Sequence, residues 1–235
     1  MRLHSLFRTL GFDVIRYPAG TSYLTELKRL LDLARPDLVA DVGGNRGQFV
    51  ELLRAAGYDG DVVSFEPVAR TSAALIERAR GDSRWTVEAL GMGDRNESRA
   101  IRVPNGEEDD MASFLSPTEL GLRVFPELGD TTTETVEVRR LDEVLADREG
   151  RLFLKIDTQG WELPVLEGAR GILDQVAAVQ TELVVDPIYA EGNDYLTVLA
   201  WLRDAGFTPT AFVPVAILET GVCELDCLLR RTRNA

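Results

Sequence analysis

Residues 39–57, which read VADVGGNRGQFVELLRAAG, constrain the fold of this chain more than any other stretch. An apolar run ends in Asp41, and Gly43, Gly44 and Gly47 follow as a helical pattern begins. Glycine tolerates unusual backbone dihedral angles and allows a ligand to approach the backbone closely. A strand that leads directly into a glycine turn and a helix is typical of the first unit of a nucleotide-binding α/β fold.

The rest of the sequence favours the same α/β architecture. From residue 38 onward, short apolar runs alternate with helical segments, which predicts βαβ units around a mostly parallel sheet. Residues 91–133 are polar and are predicted to be irregular, with two short strands in this part of the chain, at 100–103 and 134–139. The closing segments FTPTAFVPV and CELDCLLRR are predicted to pair as a hairpin.

The chain of 235 residues is long enough for one large domain with its own core. We divide it into an N-terminal helical cap at 1–36 and a single globular domain at 37–235. A helix is predicted at 22–34, and a shorter one near the start of the chain. The apolar stripe of that first helix consists of Leu3, Leu6, Phe7 and Leu10. This helix either packs on the domain or forms a lid, a dimer contact or a membrane-surface contact.

The charge balance argues against nucleic acid as a partner. The net charge is −13 and the isoelectric point is about 4.6, whereas nucleic-acid-binding proteins usually carry a basic footprint. No stretch approaches the roughly 18 apolar residues of a membrane-spanning helix, and the N-terminus lacks the apolar block of a signal peptide. The chain has two cysteines, which are too few for a disulfide scaffold. The sequence therefore predicts a cytoplasmic protein.

The ligand expected at the glycine turn is S-adenosylmethionine. The dinucleotide fingerprint needs G-x-G-x-x-G so that a pyrophosphate can reach the helix N-terminus, but this chain reads D-V-G-G-N-R-G. Asp41 would repel a pyrophosphate and would suit a ligand with an ammonium group. Glu66 ends the second strand, where an acid can bind both ribose hydroxyls. The alternatives are a capping role for Asp41, a solvated strand end at Glu66, and a nicotinamide-dependent oxidoreductase.

Several segments between residues 39 and 207 carry a family resemblance. They read DVGGNRGQF, SFEP, EALGMGD, RRLDEVL, FLKIDTQGWELPVLEGA, TELVVDPIY and LRDAGF. In these segments the chain resembles the FkbM family of S-adenosylmethionine-dependent O-methyltransferases. The resemblance implies a class I methyltransferase fold, with helices on both faces of a seven-stranded sheet whose last strand is antiparallel. It also implies methyl transfer to a hydroxyl, often on a sugar or a secondary metabolite.

The predicted cofactor site lies at the glycine turn and at the ends of the neighbouring strands. Its residues are Asp41, Gly43, Gly44, Asn45, Gly47, Glu66, Ala89 and Leu90, with the last two near the adenine. The family's usual DVGAN reads DVGGN here, and we expect this glycine to leave binding undisturbed. Residues 1–35 and 104–133 lie outside the resemblance and are expected to select the acceptor. The second of these regions is either a substrate cover or a long surface connection.

The catalytic base is predicted to be a carboxylate. Methyl transfer to a hydroxyl needs an in-line approach and usually a group that takes the proton. The only histidine is His4, which lies far from the strand ends in sequence, so the candidates are Asp157 and Glu182. Lys155 is expected to lie on the same face of the strand as Asp157 and to form an ion pair with it. Glu162 is expected to cap the following helix.

A magnesium ion is the alternative route for removing the proton. Asp157, Glu182 and Asp186 offer the carboxylate oxygens that Mg²⁺ prefers. We favour the metal-free route, because the sequence shows no dense acidic ligand motif. The expected partner is a small molecule or glycan with an acceptor hydroxyl, and a homodimer is possible through the first helix. A cofactor-binding scaffold without turnover is the alternative outside the enzymes.

Overall fold

The alternation of strands and helices predicted from the sequence is present in the structure. A computed structural model describes residues 22–106 and 111–232. Its helices are α1 (Tyr23–Ala34), α2 (Gln48–Ala55), α3 (Ala69–Ala79), α4 (Glu119–Val124), α5 (Leu141–Val144), α6 (Glu162–Gly168) and α7 (Tyr195–Asp204). Its strands are β1 (Leu38–Val42), β2 (Asp61–Phe65), β3 (Trp85–Glu88), β4 (Gly91–Met92), β5 (Glu97–Pro104), β6 (Thr131–Arg139), β7 (Leu152–Ile156), β8 (Val176–Val184), β9 (Phe207–Leu218) and β10 (Gly221–Arg231). Two short 3₁₀ helices span Pro126–Gly129 and Arg170–Gln175.

Seven strands form one sheet in the order β3-β2-β1-β7-β8-β10-β9. From β3 to β8 all neighbours are parallel, whereas β10 runs antiparallel to both β8 and β9. The last strand of the chain is therefore the antiparallel one, and the predicted closing hairpin is confirmed. Since the parallel strands point the same way, the residues that follow β1, β2 and β7 all lie at one edge of the sheet.

A hydrophobic cluster covers each face of this sheet. Val39 and Phe153 pack with α1, α2 and α3 on one face, while Ala40 and Leu154 pack with α5, α6 and α7 on the other. Side chains alternate between the faces along each strand, which explains why neighbouring residues join different clusters. Helices on both faces agree with the fold predicted from the sequence.

The helix α1 belongs to this core. Leu27, Leu30 and Leu31 are buried against Val39 and Phe49, and Arg35 ends the helix in the left-handed conformation with a φ of 46°. The observed helix begins one residue later than predicted. The helix predicted around Leu3, Leu6, Phe7 and Leu10 lies outside the described residues, so the cap at 1–36 stays a prediction.

A second sheet replaces much of the irregular region predicted after residue 91. Its strands are ordered β4-β6-β5, and β5 pairs with β6 in antiparallel register from Glu97 to Pro104. The prediction of two short strands was too conservative here. Alternate apolar side chains of β5 and β6 bury one face of the sheet, which extends both strands beyond the predicted bounds.

The segment after β5 is held against the loop that follows β8. Thr118 caps α4 by accepting a hydrogen bond from the Gly121 N–H at 3.0 Å, and its hydroxyl lies 2.7 Å from the carbonyl oxygen of Pro187. A side chain at Gly121 would collide with the main-chain oxygen of Ile188. Residues 111–130 therefore lie beside the strand-end edge where the predicted site residues are found.

Candidate active site

The turn after β1 packs directly onto the residue that follows β7. Gly43 has a φ of 80°, and a side chain there would collide with the main-chain oxygen of Asp157. The N–H groups of Gly43 and Gly44 each donate to the carbonyl oxygen of Phe65 at 3.0 Å. Only glycine fits at the first position, because it has no Cβ and adopts positive φ without strain. Bare backbone is thereby exposed beside Asp157.

Glu66 fixes the shape of this turn. One of its carboxylate oxygens accepts a hydrogen bond from the Asn45 N–H at 3.0 Å, and the other accepts one from the Val68 N–H at 3.0 Å. The side chain is buried and borders a cleft at the strand ends. A charged carboxylate with two backbone donors is held in one orientation, so Glu66 connects the glycine turn to the start of α3.

A cleft with mostly apolar walls, which we call the apolar cleft, opens beside Glu66. Gly43 and Asn45 form its floor, and apolar side chains form its walls. Those walls consist of Phe65, Leu90, Met92, Ile101 and Phe114. Within the described part of the chain, Asn45 Oδ1 is buried without a hydrogen-bond partner. The cleft therefore combines a flat apolar slot with a buried acid and an unpaired oxygen, which suits a base and its ribose.

Asp41 lies beneath the glycine turn and does not line this cleft. Its side chain is 0% exposed, it accepts a hydrogen bond from the Ser64 hydroxyl at 2.7 Å, and it pairs with Lys155 at 3.1 Å. Direct contact with a ligand ammonium, as expected from the sequence, is not available to a carboxylate in this position. Asp41 instead anchors Lys155, whose ammonium donates to the Gly43 carbonyl oxygen at 2.6 Å.

Lys155 also lies close to Asp157, one of the two predicted catalytic carboxylates. Its Nζ lies 3.8 Å from Asp157 Oδ2, so the expected ion pair is present, although Asp41 is the nearer partner. Burial alone would lower the pKa of Lys155, but Asp41 and Asp157 outweigh that effect and raise it. The ammonium therefore stays charged and ties the glycine turn to the end of β7.

Asp157 and Glu182 are brought together by a residue that the sequence analysis did not single out. The side-chain amide of Gln159 donates to Asp157 Oδ1 at 3.1 Å and to Glu182 Oε2 at 3.2 Å. The Tyr189 hydroxyl donates to the amide oxygen of Gln159 at 3.1 Å, which fixes the orientation of that amide. Gln159 has a φ of 54°, so the backbone adopts a disfavoured conformation to place this side chain.

These residues open onto a second, larger cleft, which we call the acidic cleft. Its empty volume is about 1470 Å³. Gly43, Asn45, Asp157 and Gln159 line both clefts. The carboxylates of the acidic cleft belong to Glu127, Asp157, Glu182, Glu224 and Asp226, and Lys155 is the cation among its described lining residues. A ligand that spans both clefts would pass the glycine turn and the Asp157–Glu182 pair.

Burial and mutual repulsion raise the pKa values of several of these carboxylates. Burial, followed by the charges of Asp157 and Glu224, raises the pKa of Glu182 well above its usual value. Burial and Asp157 raise the pKa of Glu224 to about 7 and that of Asp226 to about 6. Such values lie close to neutral pH, where a carboxylate is most effective as a general base.

Of the remaining predicted cofactor residues, Ala89 and Gly47 line neither cleft, whereas Leu90 and Gly44 each line one. Ala89 is exposed and Gly47 packs under Trp85, so Leu90 alone of the predicted adenine pair borders the apolar cleft. Ala89 turns outward because it lies just past the end of β3, where the chain leaves the sheet. Gly44 borders the acidic cleft, and a Cβ there would lie 2.9 Å from Leu75 Cδ2.

The structure also places Glu162, which was expected to cap a helix, and Asp186, which was considered as a ligand of Mg²⁺. Glu162 is buried and accepts hydrogen bonds from the Thr158 and Gly160 N–H groups, each at 3.1 Å. Both N–H groups lie in the loop before α6, and the start of this helix has no side-chain cap, so Glu162 holds that loop and does not cap the helix as predicted. Burial raises the pKa of Glu162 to about 6. Asp186 does not line the acidic cleft. Across residues 22–106 and 111–232, no group of three or more His, Cys, Asp or Glu side chains is arranged to hold a metal ion.

Two further acids of the site were missed in the sequence. Glu224 and Asp226 lie in CELDC, where the alternation of acid and apolar residues indicated only a strand. In the sheet, Asp226 is directly opposite Glu182. The sequence contained a signal, because two acids two residues apart on a buried strand share a face and need partners.

The arrangement defines the class of the protein. A seven-stranded sheet with one antiparallel strand, a glycine turn after β1 and an acid after β2 is the class I methyltransferase architecture. The protein-family model described as "Methyltransferase FkbM domain" matches residues 41–209 of this chain. The chain therefore belongs to the FkbM methyltransferase family and is an S-adenosylmethionine-dependent methyltransferase. This excludes the nicotinamide-dependent oxidoreductase considered from the sequence.

Three solved structures resemble this chain at low sequence identity. An rRNA methylase from Streptococcus thermophilus is 12% identical, with 94% of this chain and 99% of that chain covered and a TM-score of 0.49. The N-methyltransferase NodS from Bradyrhizobium japonicum WM9 is 12% identical, with 89% and 94% covered and a TM-score of 0.47. Magnesium protoporphyrin IX methyltransferase from Synechocystis PCC 6803 is 9% identical, with 97% and 90% covered and a TM-score of 0.46. No protein of curated function matches the sequence.

The helices of the described residues are too short or too polar to cross a membrane.

Proposed function

We propose that this methyltransferase transfers a methyl group to a hydroxyl of a small molecule, such as a sugar or a secondary metabolite. The observation that carries the proposal is the pair of the partly exposed Asp157 and the buried Glu182, joined through the Gln159 amide at 3.1 and 3.2 Å. Asp157 lines both clefts, and Glu182 lines the acidic cleft. A hydroxyl must lose its proton as it accepts a methyl group, and a carboxylate is the group available here to receive it.

The cofactor residues fit S-adenosylmethionine, which supplies an activated methyl group on a sulfonium. Gly43 lines both clefts, and its missing side chain lets the Asp157 main chain pack against the turn. Asn45 Oδ1 is buried and unpaired within the described residues. Glu66, which borders the apolar cleft, would bind the ribose hydroxyls, and Leu90 would contact the base. Asp41 and Lys155 would act indirectly by holding the turn in place.

Glu182 is the preferred proton acceptor. Its raised pKa reflects burial and the charges of Asp157 and Glu224, and a carboxylate of ordinary pKa near 4 would be a weak base at neutral pH. Bound S-adenosylmethionine would supply the methyl group to the acceptor oxygen, and Glu182 would take the proton that the hydroxyl loses. Gln159 would hold the side chains of Asp157 and Glu182 in fixed relative positions, because its amide donates a hydrogen bond to each.

The decisive experiment is an acceptor screen with product mass as the readout. The purified chain and S-adenosylmethionine are incubated with hydroxyl-bearing sugars and natural products, and a gain of one methyl group on oxygen is located by tandem mass spectrometry. Methylation of oxygen supports the proposal. Transfer exclusively to nitrogen or carbon would contradict it, and cofactor binding without any transfer would favour the scaffold alternative.

A metal dependence is tested separately with EDTA. In the proposed route Glu182 removes the proton without a cation, so activity should persist in excess chelator. Loss of activity that Mg²⁺ restores would sink this route, because a bound cation makes the hydroxyl more acidic by itself.

The partners expected from the sequence remain part of the proposal. The acidic composition, with a net charge of −13, favours a small-molecule or glycan acceptor over nucleic acid. The possible homodimer depends on residues 1–11, and deleting them should change either the oligomeric state or the acceptor affinity. The cytoplasmic location likewise stays a prediction.

A further inference from the structure

The acidic cleft contains more carboxylates than proton transfer requires. One base suffices for methyl transfer, yet Glu224 and Asp226 lie on β10 beside Glu182 and line the same cleft. Glu224 is only 5% exposed. Burying several acids together is unfavourable unless a cation compensates them. Lys155 compensates only part of this charge, because its ammonium is shared between Asp41, the Gly43 carbonyl oxygen and Asp157.

Besides Asn45 Oδ1, which borders both clefts, two buried acceptor oxygens of the acidic cleft lack a donor within the described residues. They are Oε1 of Glu224 and Oε1 of Gln180. Gln180 is 3% exposed, and its amide nitrogen donates to Asp226 Oδ1 at 2.8 Å. Because that carboxylate accepts, the amide nitrogen of Gln180 must face it and the amide oxygen must point elsewhere. The neutral Gln180 and the acid Glu224 therefore each have a buried oxygen that can accept a hydrogen bond from a ligand.

We propose that the acceptor carries a protonated amine in addition to its hydroxyl, and that Glu224, Asp226 and Gln180 bind this ammonium in the acidic cleft. The inference rests on the O-methyl transfer proposed above and names the chemical class of its acceptor, a hydroxylated amine. An ammonium has three N–H donors and a positive charge. It therefore satisfies the unpaired oxygens of Glu224 and Gln180 and relieves the repulsion among the carboxylates.

A neutral hydroxyl or amide ligand would satisfy the site less well. It could donate a hydrogen bond to Glu224 or Gln180, but it would leave the charge of the buried acids uncompensated. An anionic ligand would be repelled. Hydrogen bonds from a charged donor to a carboxylate are also roughly twice as strong as neutral ones. The cleft therefore discriminates an amine from its N-acetyl derivative.

The test measures binding without turnover. The protein is saturated with S-adenosylhomocysteine and titrated by calorimetry at pH 8 with hydroxyl-bearing primary amines, among them D-glucosamine and tyramine, each paired with its N-acetyl derivative. Amines of the panel should bind at least about tenfold more tightly than their N-acetyl partners. Glu224→Gln and Asp226→Asn should each remove most of that difference.

The matched control is Asp204→Asn, which removes an exposed carboxylate that does not line the cleft. It should leave amine binding unchanged, and every variant must still bind S-adenosylhomocysteine. Failure of the whole amine panel to bind, or equal binding of amines and N-acetyl derivatives, overturns the inference. Methylation of a neutral alcohol by a protein that binds no amine would leave the proposed O-methyl transfer standing. Binding of amines without any O-methylation would instead contradict only the proposed function.

Discussion

The two clefts that meet at the glycine turn are built in opposite ways. The buried acid of the apolar cleft is Glu66, whose oxygens are fixed by backbone N–H groups at 3.0 Å. The acidic cleft contains several carboxylates, and the buried oxygens of Glu224 and Gln180, which do not border the apolar cleft, have no donor among the described residues. The hydrogen bonds of Glu66 are in place before any ligand binds. The acidic cleft stores unfavourable electrostatic interactions that a suitable ligand would remove.

This difference separates what each side of the site can do. A rigid slot beside a glycine turn gives affinity for one cofactor, because its shape and hydrogen bonds are already in place. A cluster of buried acids with raised pKa values gives reactivity and charge selection. We therefore expect substitutions in the acidic cleft to change catalysis and acceptor choice, and substitutions around the apolar cleft to change cofactor affinity.

The largest effect is expected when the proton acceptor is removed. Glu182→Gln keeps the size of the side chain but cannot take a proton, so kcat/KM should fall about 10²- to 10⁴-fold. Cofactor affinity, measured by calorimetry, should change less than about twofold, since Glu182 does not line the apolar cleft. Equal losses of cofactor binding and rate would show that the two sides of the site are not separate.

The pH dependence of the native enzyme sharpens the same point. The raised pKa of Glu182 means that the carboxylate is protonated, and inactive as a base, until the pH exceeds that value. The rate should therefore fall as pH decreases, with a midpoint well above the ordinary range of a glutamate. A kcat/KM profile that stays flat down to pH 5 would contradict the role of Glu182.

A second substitution tests the rigidity of the glycine turn. Gly43→Ala adds a Cβ that collides with the Asp157 main chain at a φ of 80°, so the free energy of unfolding should fall by about 3 kcal/mol and cofactor binding should be lost. The matched control is Gly57→Ala, at a φ of 90° but with only Lys28 Nζ at 3.9 Å nearby. It should lower the free energy of unfolding by only about 1 kcal/mol, measured by urea denaturation. Similar effects of both changes would refute the close contact.

A smaller effect is expected at Glu66. In Glu66→Gln one carboxylate oxygen becomes an amide nitrogen, which cannot accept from the Asn45 or Val68 N–H group. Loss of one charge-assisted hydrogen bond should weaken S-adenosylmethionine binding about tenfold. Asp61→Asn, at the opposite end of the same strand, is the control and should leave the dissociation constant unchanged. A folded Glu66→Gln variant of unaltered affinity would remove Glu66 from the cofactor site.

The smallest effect concerns stability. The pKa of Glu224 is raised from 4.5 to about 7 in the folded protein, so the native state keeps a proton that the unfolded chain loses. The free energy of unfolding should therefore decrease as pH rises from about 4.5 to about 7. Glu224→Gln removes this penalty, and it should stabilise the protein by about 1 kcal/mol at pH 8 and have little effect at pH 4.

The control for this prediction is Glu127→Gln, which changes an exposed acid of the same cleft. It should leave the free energy of unfolding unchanged at both pH values. Destabilisation by Glu224→Gln at pH 8 would mean that the ionised carboxylate is favourably paired, which is the opposite of the electrostatics described above.

The cofactor side of the site follows closely from the sequence. The strand, the glycine turn and the helix are contiguous, and the conformation at Gly43 is set by local steric rules. The acid after the next strand, Glu66, was found because consecutive parallel strands end at the same edge. Local order did not reveal that Asp41 points beneath the turn, since this depends on Lys155 from the neighbouring strand β7.

The acceptor side was decided by the tertiary structure. Asp157 and Glu182 were predicted as candidates, but the sequence did not predict the bridge through Gln159. This bridge requires β7 and β8 to be neighbours. It also depends on the φ of 54° at Gln159, which no sequence pattern indicated. The hairpin of β9 and β10 was predicted, yet only the insertion of β10 beside β8 places Asp226 opposite Glu182. The raised pKa values are likewise collective, because each arises from burial together with acids that are distant in the chain.

The sequence by itself determined the fold class, the family and the cofactor turn, because short-range sterics and the alternation of apolar residues act over a few neighbouring positions. Only the tertiary structure decided which acids face one another and which remain unpaired. Those relations depend on strand order and register between segments far apart in the chain, and a shift of one residue would turn each acid to the opposite face of the sheet.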